Sequence, residues 1–227
     1  MKHTRRTYLA VASGLAVGTA AFAGCMGNDD GLETEYEGVD VADVETTYEC
    51  ELTDRDPVSD LPQPRVGPDE AEITVAVFED FGCPACREFA LGALADLKAD
   101  FADDDTVAFD HYDYPVQASE WSERIANTAR SVQDANDDAA FFEFSTAAYE
   151  SQGNHSWQGV GDIADDVGAN PCDVLSDATH AVYAPVLQAN LNEGWDRGVE
   201  GTPTVFVNES QVDASYDAVQ TAIENAE

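Results

Sequence analysis

Two cysteines three positions apart, Cys83-Pro84-Ala85-Cys86, are the residues of this chain best suited to chemistry. A thiolate attacks a disulfide, and a second thiol one helical turn away can expel the partner by closing a ring with the first. The neighbouring sequence favours that use. Ile73-Thr74-Val75-Ala76-Val77-Phe78 is β-branched and apolar, the pattern of a buried strand, and it runs through Glu79-Asp80-Phe81-Gly82 into the pair. Beyond the pair Phe89, Ala90, Ala93, Leu94, Leu97 and Phe101 recur at helical spacing, which places the cysteines at a helix start. Pro84 suits the first helical position, where a missing N–H is no loss. Cys83 then occupies the cap, with unpaired N–H groups and the positive end of the helix dipole at its sulfur, a setting that stabilises a thiolate. In this reading Cys83 attacks and Cys86 resolves.

A single C-x-x-C has other uses. Half a zinc site would need a second C-x-x-C or clustered histidines, whereas His111, His155 and His180 are dispersed. A static disulfide stays open. A second motif is Gly201-Thr202-Pro203-Thr204, followed by Val205-Phe206-Val207-Asn208. A proline heading an apolar strand is compatible with a cis peptide bond, which would leave the Thr202 backbone able to pair with an extended client. Taken alone, a simple loop proline accounts for it better.

Strand, Cys-x-x-Cys helix, strand, Thr-Pro strand and a last helix (Tyr216 to Asn225) follow the order of a thioredoxin fold. From about residue 69 to 227 the chain resembles the DsbA-like branch of the thioredoxin superfamily. That branch has an α/β, thioredoxin-like fold with an inserted helical segment, here about residues 116–198. The resemblance rests on Phe78-Glu79-Asp80-Phe81-Gly82-Cys83-Pro84-Ala85-Cys86-Arg87-Glu88-Phe89 and on Gly201 to Asn208. It implies Cys83 as nucleophile, Cys86 as resolving thiol, and a cis Pro203 with Thr202 lining the substrate site. It implies a protein thiol–disulfide oxidoreductase, with the oxidase direction favoured, clients that are exported proteins, and a membrane redox partner. No metal, nucleotide, flavin or other cofactor is implied.

Two positions depart from that pattern. Many relatives carry an acid six residues before the first cysteine, where it assists proton transfer at the buried thiol. Here the position is Val77, so water or another group must serve, Glu79 and Asp80 being candidates unless both face solvent. Strongly oxidising relatives carry histidine between the cysteines; Ala85 cannot stabilise a thiolate that way, which implies a milder oxidant. Arg87 offsets this in part, against Glu79, Asp80 and Glu88.

Ahead of the insert a second strand (Val107 to Tyr112) leads to helices at Ser119–Ala135, Ala139–Tyr149, Gly159–Val167 and Asp173–Leu191 within it. Phe141, Phe142, Phe144 and Ala148 read as core, and burial is the default for Trp121, Trp157 and Trp195.

The chain has 227 residues, with 46 Asp or Glu against 10 Lys or Arg, a net charge of −36, and 44% hydrophobic residues. That excess of acid excludes a general nucleic-acid binder, which neutralises phosphates with Lys and Arg. It also argues against docking on anionic lipid through basic residues. Acids spread along the whole mature chain point to a halophilic setting, where salt screens them within roughly 3 Å at 1 M. Residues 1–24 read as an export signal: Arg5-Arg6 followed by the 17 uncharged residues Tyr8 to Gly24, the paired arginines indicating twin-arginine (Tat) export. Phe22-Ala23-Gly24-Cys25 resembles a lipoprotein cleavage box, with Cys25 the lipidated first residue and the protein held at the extracytoplasmic face of the membrane. An uncleaved anchor is the alternative. Loss of Lys2, Arg5 and Arg6 with the leader leaves 7 basic residues against 46 acidic, a charge of −39. Residues 25–68 are acidic and broken by Gly and Pro, which reads as a flexible tether to a domain at 69–227.

Of five cysteines, Cys50 and Cys172 remain. In an oxidising compartment they are expected to form a structural disulfide joining the end of the tether to the insert. The rival reading makes Cys172, in Asn170-Pro171-Cys172-Asp173, an activated third thiol. Two function classes compete with the enzyme: a non-catalytic thioredoxin-like binding lipoprotein, and a carrier of a soft metal ion on the two thiolates.

Overall fold

The computed structural model describes residues 36, 38–101 and 105–226, together with the backbone of Cys25 and Met26. The expected leader, residues 1–24, lies outside the described residues. The strands are β1 (Cys25–Met26), β2 (Arg65–Val66), β3 (Ile73–Glu79), β4 (Val107–Asp113), β5 (Gly201–Thr202), β6 (Thr204–Val207) and β7 (Ser210–Val212). The α-helices are α1 (Pro84–Leu91), α2 (Ala93–Asp100), α3 (Ser122–Ala135), α4 (Asp138–Glu150), α5 (Trp157–Asp166), α6 (Pro171–Thr179), α7 (Ala184–Asp196) and α8 (Tyr216–Ala226).

Five strands form one sheet in the order β2-β4-β3-β6-β7, with β3 parallel to β4 and antiparallel to β6. Side chains alternate across a strand, so Val75, Val77 and Glu79 share a face with Phe109, His111 and Asp113 of β4. The apolar members of that face bury against Phe89 of α1, Leu94 and Leu97 of α2, and Val219 and Ile223 of α8. The opposite face carries Ala76, Phe78 and Phe206 against Leu191 of α7 and Tyr114. Gly194 permits that packing, since a Cβ there would stand 2.4 Å from Cε2 of Tyr114. Helices α3 to α6 close over the cysteine end of the sheet around Phe81, Ile125, Phe141, Phe144 and Leu175. The chain therefore has the thioredoxin-like α/β fold with a helical insert.

Two helix boundaries differ from expectation. The helix after the cysteines breaks at Gly92 into α1 and α2. The expected helix Asp173–Leu191 is two helices, because Pro185 is accommodated only in a first helical turn and the chain turns at Ala181 with φ +52°.

The tether expected over 25–68 is corrected for residues 38–68, which strap the domain. Cys50 is disulfide-bonded to Cys172, with Cα atoms 5.2 Å apart. Thr53 exchanges hydrogen bonds with Ser176, its N–H to Oγ at 2.7 Å and Ser176 Oγ to its carbonyl at 2.8 Å. Arg55 grips Asp177 through Nε and Nη2 at 2.7 and 2.9 Å. Val58 and Leu61 pack on Val182, Tyr183 and Val186, and β2 extends the sheet beside β4. Gly and Pro abolish periodicity in this segment, but residue-by-residue pairing replaces the missing ladder.

Candidate active site

The end of β3 and the start of α1 build the site. Asp80 forms the turn between them: its Oδ1 accepts from Gly82 N at 2.6 Å and its carbonyl from Cys83 N at 2.9 Å. Gly82 is required there, because a Cβ would come within 2.5 Å of both Ser119 Oγ and Ser122 Oγ. Cys83 caps α1 in extended conformation (φ −82°, ψ 122°) with Pro84 as first helical residue. The carbonyls of Phe81 and Cys83 are held by Gln152 Nε2 at 2.8 and 3.0 Å.

Cys83 and Cys86 are thiols in this structure, both wholly buried, while Pro84 and Ala85 between them are exposed. Cys83 Sγ donates to the carbonyl of Thr202 at 3.5 Å. That carbonyl precedes Pro203 through a cis peptide bond, so the two motifs, 119 residues apart, meet at one sulfur. The two cysteine side chains are hydrogen-bonded to each other, and Asp80 N donates to Cys86 Sγ at 3.4 Å. Burial pushes the Cys86 thiol well above its ordinary pKa, with the bond to Cys83 and the charge of Glu79 acting in the same direction. Cys86 is therefore held as a neutral thiol. The backbone of Cys25–Met26 runs antiparallel along Gly201–Thr202, Cys25 opposite Thr202. The edge beside Cys83 thus accepts an extended segment.

Glu79 and Asp80 do not face solvent; they are 3% and 1% exposed. Burial raises the Asp80 carboxyl above its usual range, although hydrogen bonds from Ser122, Gly82 and Ala118 oppose the shift. Glu79 begins a buried charge chain. Its Oε2 lies 3.4 Å from His111 Nδ1, and His111 Nε2 lies 3.2 Å from Asp113 Oδ1. Arg130, with no exposure, donates from Nε to Asp113 Oδ2 at 2.5 Å. Its two Nη groups reach the Pro62 carbonyl, Gln133 Oε1 and Gln63 Oε1 at 2.8–3.0 Å, which ties the strap to the site. Burial alone would lower the His111 pKa, but hydrogen bonds to Asp113 and Glu79 outweigh it and hold the imidazole above its ordinary value. Burial would likewise raise Asp113, but the charge of Arg130 and its contacts with His111 keep it below the usual range. His111, Asp113 and Arg130 are the residues that sequence reasoning missed. The available signal was their spacing: His111 and Asp113 alternate onto the face that carries Glu79.

Other expected residues lie apart from the cysteines. Cys50 and Cys172 are bonded to one another on the strap. Arg87 Nε is engaged by the Tyr149 carbonyl at 2.9 Å. Trp157 is buried and packs edge-on against half-buried Trp121, whereas Trp195 is 55% exposed, contrary to the burial default. Among the described residues no group of three His, Cys, Asp or Glu is arranged to hold a metal ion, and no helix is long and apolar enough to cross a membrane.

A family profile described as Thioredoxin matches residues 59–225. The chain belongs to the thioredoxin family. It is 25% identical over 170 residues to "Disulfide bond formation protein D" of Bacillus subtilis, covering 71% of this chain and 76% of that protein. The crystal structure of oxidised BdbD from Bacillus subtilis superimposes with a TM-score of 0.66 at 24% identity, over 76% of this chain and 98% of the other. DsbA from Chlamydia trachomatis gives 0.64 at 18% identity, over 77% and 94% of the two chains. With vicinal thiols at a helix start against Thr202, this family member is a DsbA-like thiol–disulfide oxidoreductase.

Proposed function

We propose that this oxidoreductase donates disulfides to exported proteins from the extracytoplasmic face of the membrane, with Cys83 as the attacked sulfur and Cys86 as the leaving and resolving thiol. The observation that carries the reading is the placement of Cys83 Sγ on the Thr202 carbonyl at a helix N-terminus, with Cys86 buried behind it. In the oxidised enzyme a client thiolate attacks Cys83 Sγ, the Cys83–Cys86 bond breaks, and Cys86 leaves and takes a proton. The client's second thiolate then attacks its own sulfur in the mixed disulfide and releases Cys83. Two electrons pass from client to enzyme, and a membrane redox partner removes them. A client strand takes the place along Gly201–Thr202 that Cys25–Met26 holds here. The names of the Bacillus relatives support the oxidative direction.

Lipidation at Cys25 supplies the anchor. Cys86→Ser in the full-length protein should accumulate Cys83-linked mixed disulfides with exported clients, and Cys25→Ala should release the protein from membranes. Absence of adducts in Cys86→Ser, with insulin-disulfide reduction unchanged in Cys83→Ser, would replace catalysis by a binding role.

A further inference from the structure

One side chain from the helical insert holds the main chain on both sides of the turn that presents Cys83. Gln152 lies just beyond the end of α4, and its Nε2 donates to the Phe81 carbonyl at 2.8 Å and to the Cys83 carbonyl at 3.0 Å. Two carbonyls converging on one atom can be served only by the NH₂ end of the amide, so both of its N–H groups are used here. Those carbonyls bracket Gly82, which has no side chain to restrict its own torsions. Other holds on the Cys83 backbone are local. Its N–H donates to the Asp80 carbonyl at 2.9 Å, and its carbonyl also accepts from Arg87 N at 3.1 Å, the first bond of the helix. Gln152 adds a hold from 69 residues further along the chain. The turn that carries it is itself fixed. Ser151 Oγ and His155 Nε2 both donate to the Ala148 carbonyl, at 3.1 and 2.8 Å, and Gln152 N donates to the Tyr149 carbonyl at 3.2 Å. Arg87 of α1 reaches the same Tyr149 carbonyl through Nε at 2.9 Å. The insert thus grips both the cysteine turn and the helix behind it.

We propose that Gln152 is a positioning residue for the exchange step, fixing Cys83 so that its Sγ meets the sulfur of a client strand laid along Gly201–Thr202. The inference rests on the roles proposed above for Cys83 and Cys86. Cys83 comes to the Thr202 carbonyl from the start of α1, whereas the client is placed by β5, so separate elements present the two reacting sulfurs. Attack of a thiolate on a disulfide requires the three sulfurs to lie close to a line, and a misplacement of about 1 Å can cost about 100-fold. A small disulfide that forms no strand turns to meet the thiolate. A client paired along β5 cannot, so it depends on where the Cys83 main chain is held. Gln152 supplies that hold through two backbone carbonyls and contributes neither proton nor charge to the reaction.

The test uses the reduced full-length protein in molar KCl and two probes with the same leaving group. One is a short peptide whose single cysteine is capped with thionitrobenzoate; the other is dithiobisnitrobenzoate, which has no peptide chain. In each case the Cys83 thiolate bonds to the far sulfur, the disulfide breaks, and thionitrobenzoate leaves as a coloured thiolate. Gln152→Met keeps the side-chain length and removes the donors. It should lower the maximal rate with the peptide about 10-fold, leave the half-saturating peptide concentration within about twofold, and leave the dithiobisnitrobenzoate rate within about twofold. An unchanged maximal rate with the peptide overturns the proposal. So does equal slowing of both probes, which would make Gln152 a determinant of the thiolate itself rather than of its alignment. Should Gln152→Met fail to fold, Gln152→Asn decides, since its amide is one methylene short of bridging both carbonyls: peptide-selective slowing of several-fold is expected, and its absence overturns the proposal. Failure of the parent protein to release thionitrobenzoate faster than Cys83→Ser would instead overturn the exchange reading beneath it.

Discussion

Replacing Cys50 and Cys172 together by serine tests whether the strap is part of the folded unit. The disulfide joins positions 122 residues apart. Closing a loop of that size removes entropy from the unfolded chain worth at most about 5 kcal/mol at 25 °C, and measured values commonly run lower, so a loss of about 3–5 kcal/mol is expected. For a chain of this length each kcal/mol moves the melting temperature by about 2–4 °C, giving a fall of roughly 6–20 °C. The native contacts that flank the bond, Thr53 with Ser176 and Arg55 with Asp177, remain in the variant, so the effect falls on the unfolded state rather than on the site. Circular dichroism melts in molar KCl, with non-reduced peptide mapping of the parent protein, measure it. High salt screens the excess of 46 acidic over 10 basic residues. A loss below about 1 kcal/mol, or Cys50 and Cys172 recovered as thiols, would refute the strap as a structural element.

Four further outcomes follow from the same geometry. Arg130→Ala strands Asp113 and its neighbours as uncompensated buried charge and should cost about 3–5 kcal/mol by urea unfolding; a cost under about 1 would contradict the network. His111 has a folded pKa above its unfolded value, so its contribution is complete below about pH 6.5 and lost as pH rises through the folded value. The stability gap between the parent protein and His111→Gln should therefore be widest near pH 5–6 and narrow at alkaline pH, and a gap that widens there would be inconsistent. Gly82→Ala forces the α3 entrance away from the cysteine turn and should cost about 1–3 kcal/mol; a neutral effect would mean that Ser119 and Ser122 yield freely. Ala85→His adds a cation beside Cys83 at the helix start, worth about 1 kcal/mol of thiolate stabilisation, and should make the reduction potential about 20 mV more oxidising; no shift would undercut the ranking of Ala85 as a mild variant.

Much of the fold was legible because its signals are periodic. The β-branched run into Cys83 and the helical spacing of Phe89, Leu94 and Leu97 gave β3, α1 and α2, apart from the break at Gly92. The order of strands and motifs gave the thioredoxin-like class. Pro185 marked a break inside the expected helix Asp173–Leu191 and was there to be read. The strap was legible only at Cys50–Cys172, the disulfide expected between tether and insert; Thr53–Ser176 and Arg55–Asp177 were not, being single pairings more than 120 residues apart with no pattern behind them. The charge chain lay between these cases. Alternation places Glu79 on the face of Val77, and His111 with Asp113 on one face of β4, but only the β3–β4 register shows that the two faces coincide.

The most direct measurement mixes the oxidised protein with a reduced two-cysteine client in molar KCl and maps thiols by mass spectrometry as the client's disulfide forms. One client disulfide should appear per protein, with new protein thiols at Cys83 and Cys86 and none at Cys50 or Cys172. A client that stays reduced, or thiols that emerge on the strap pair instead, would contradict exchange at the helix-capping cysteine.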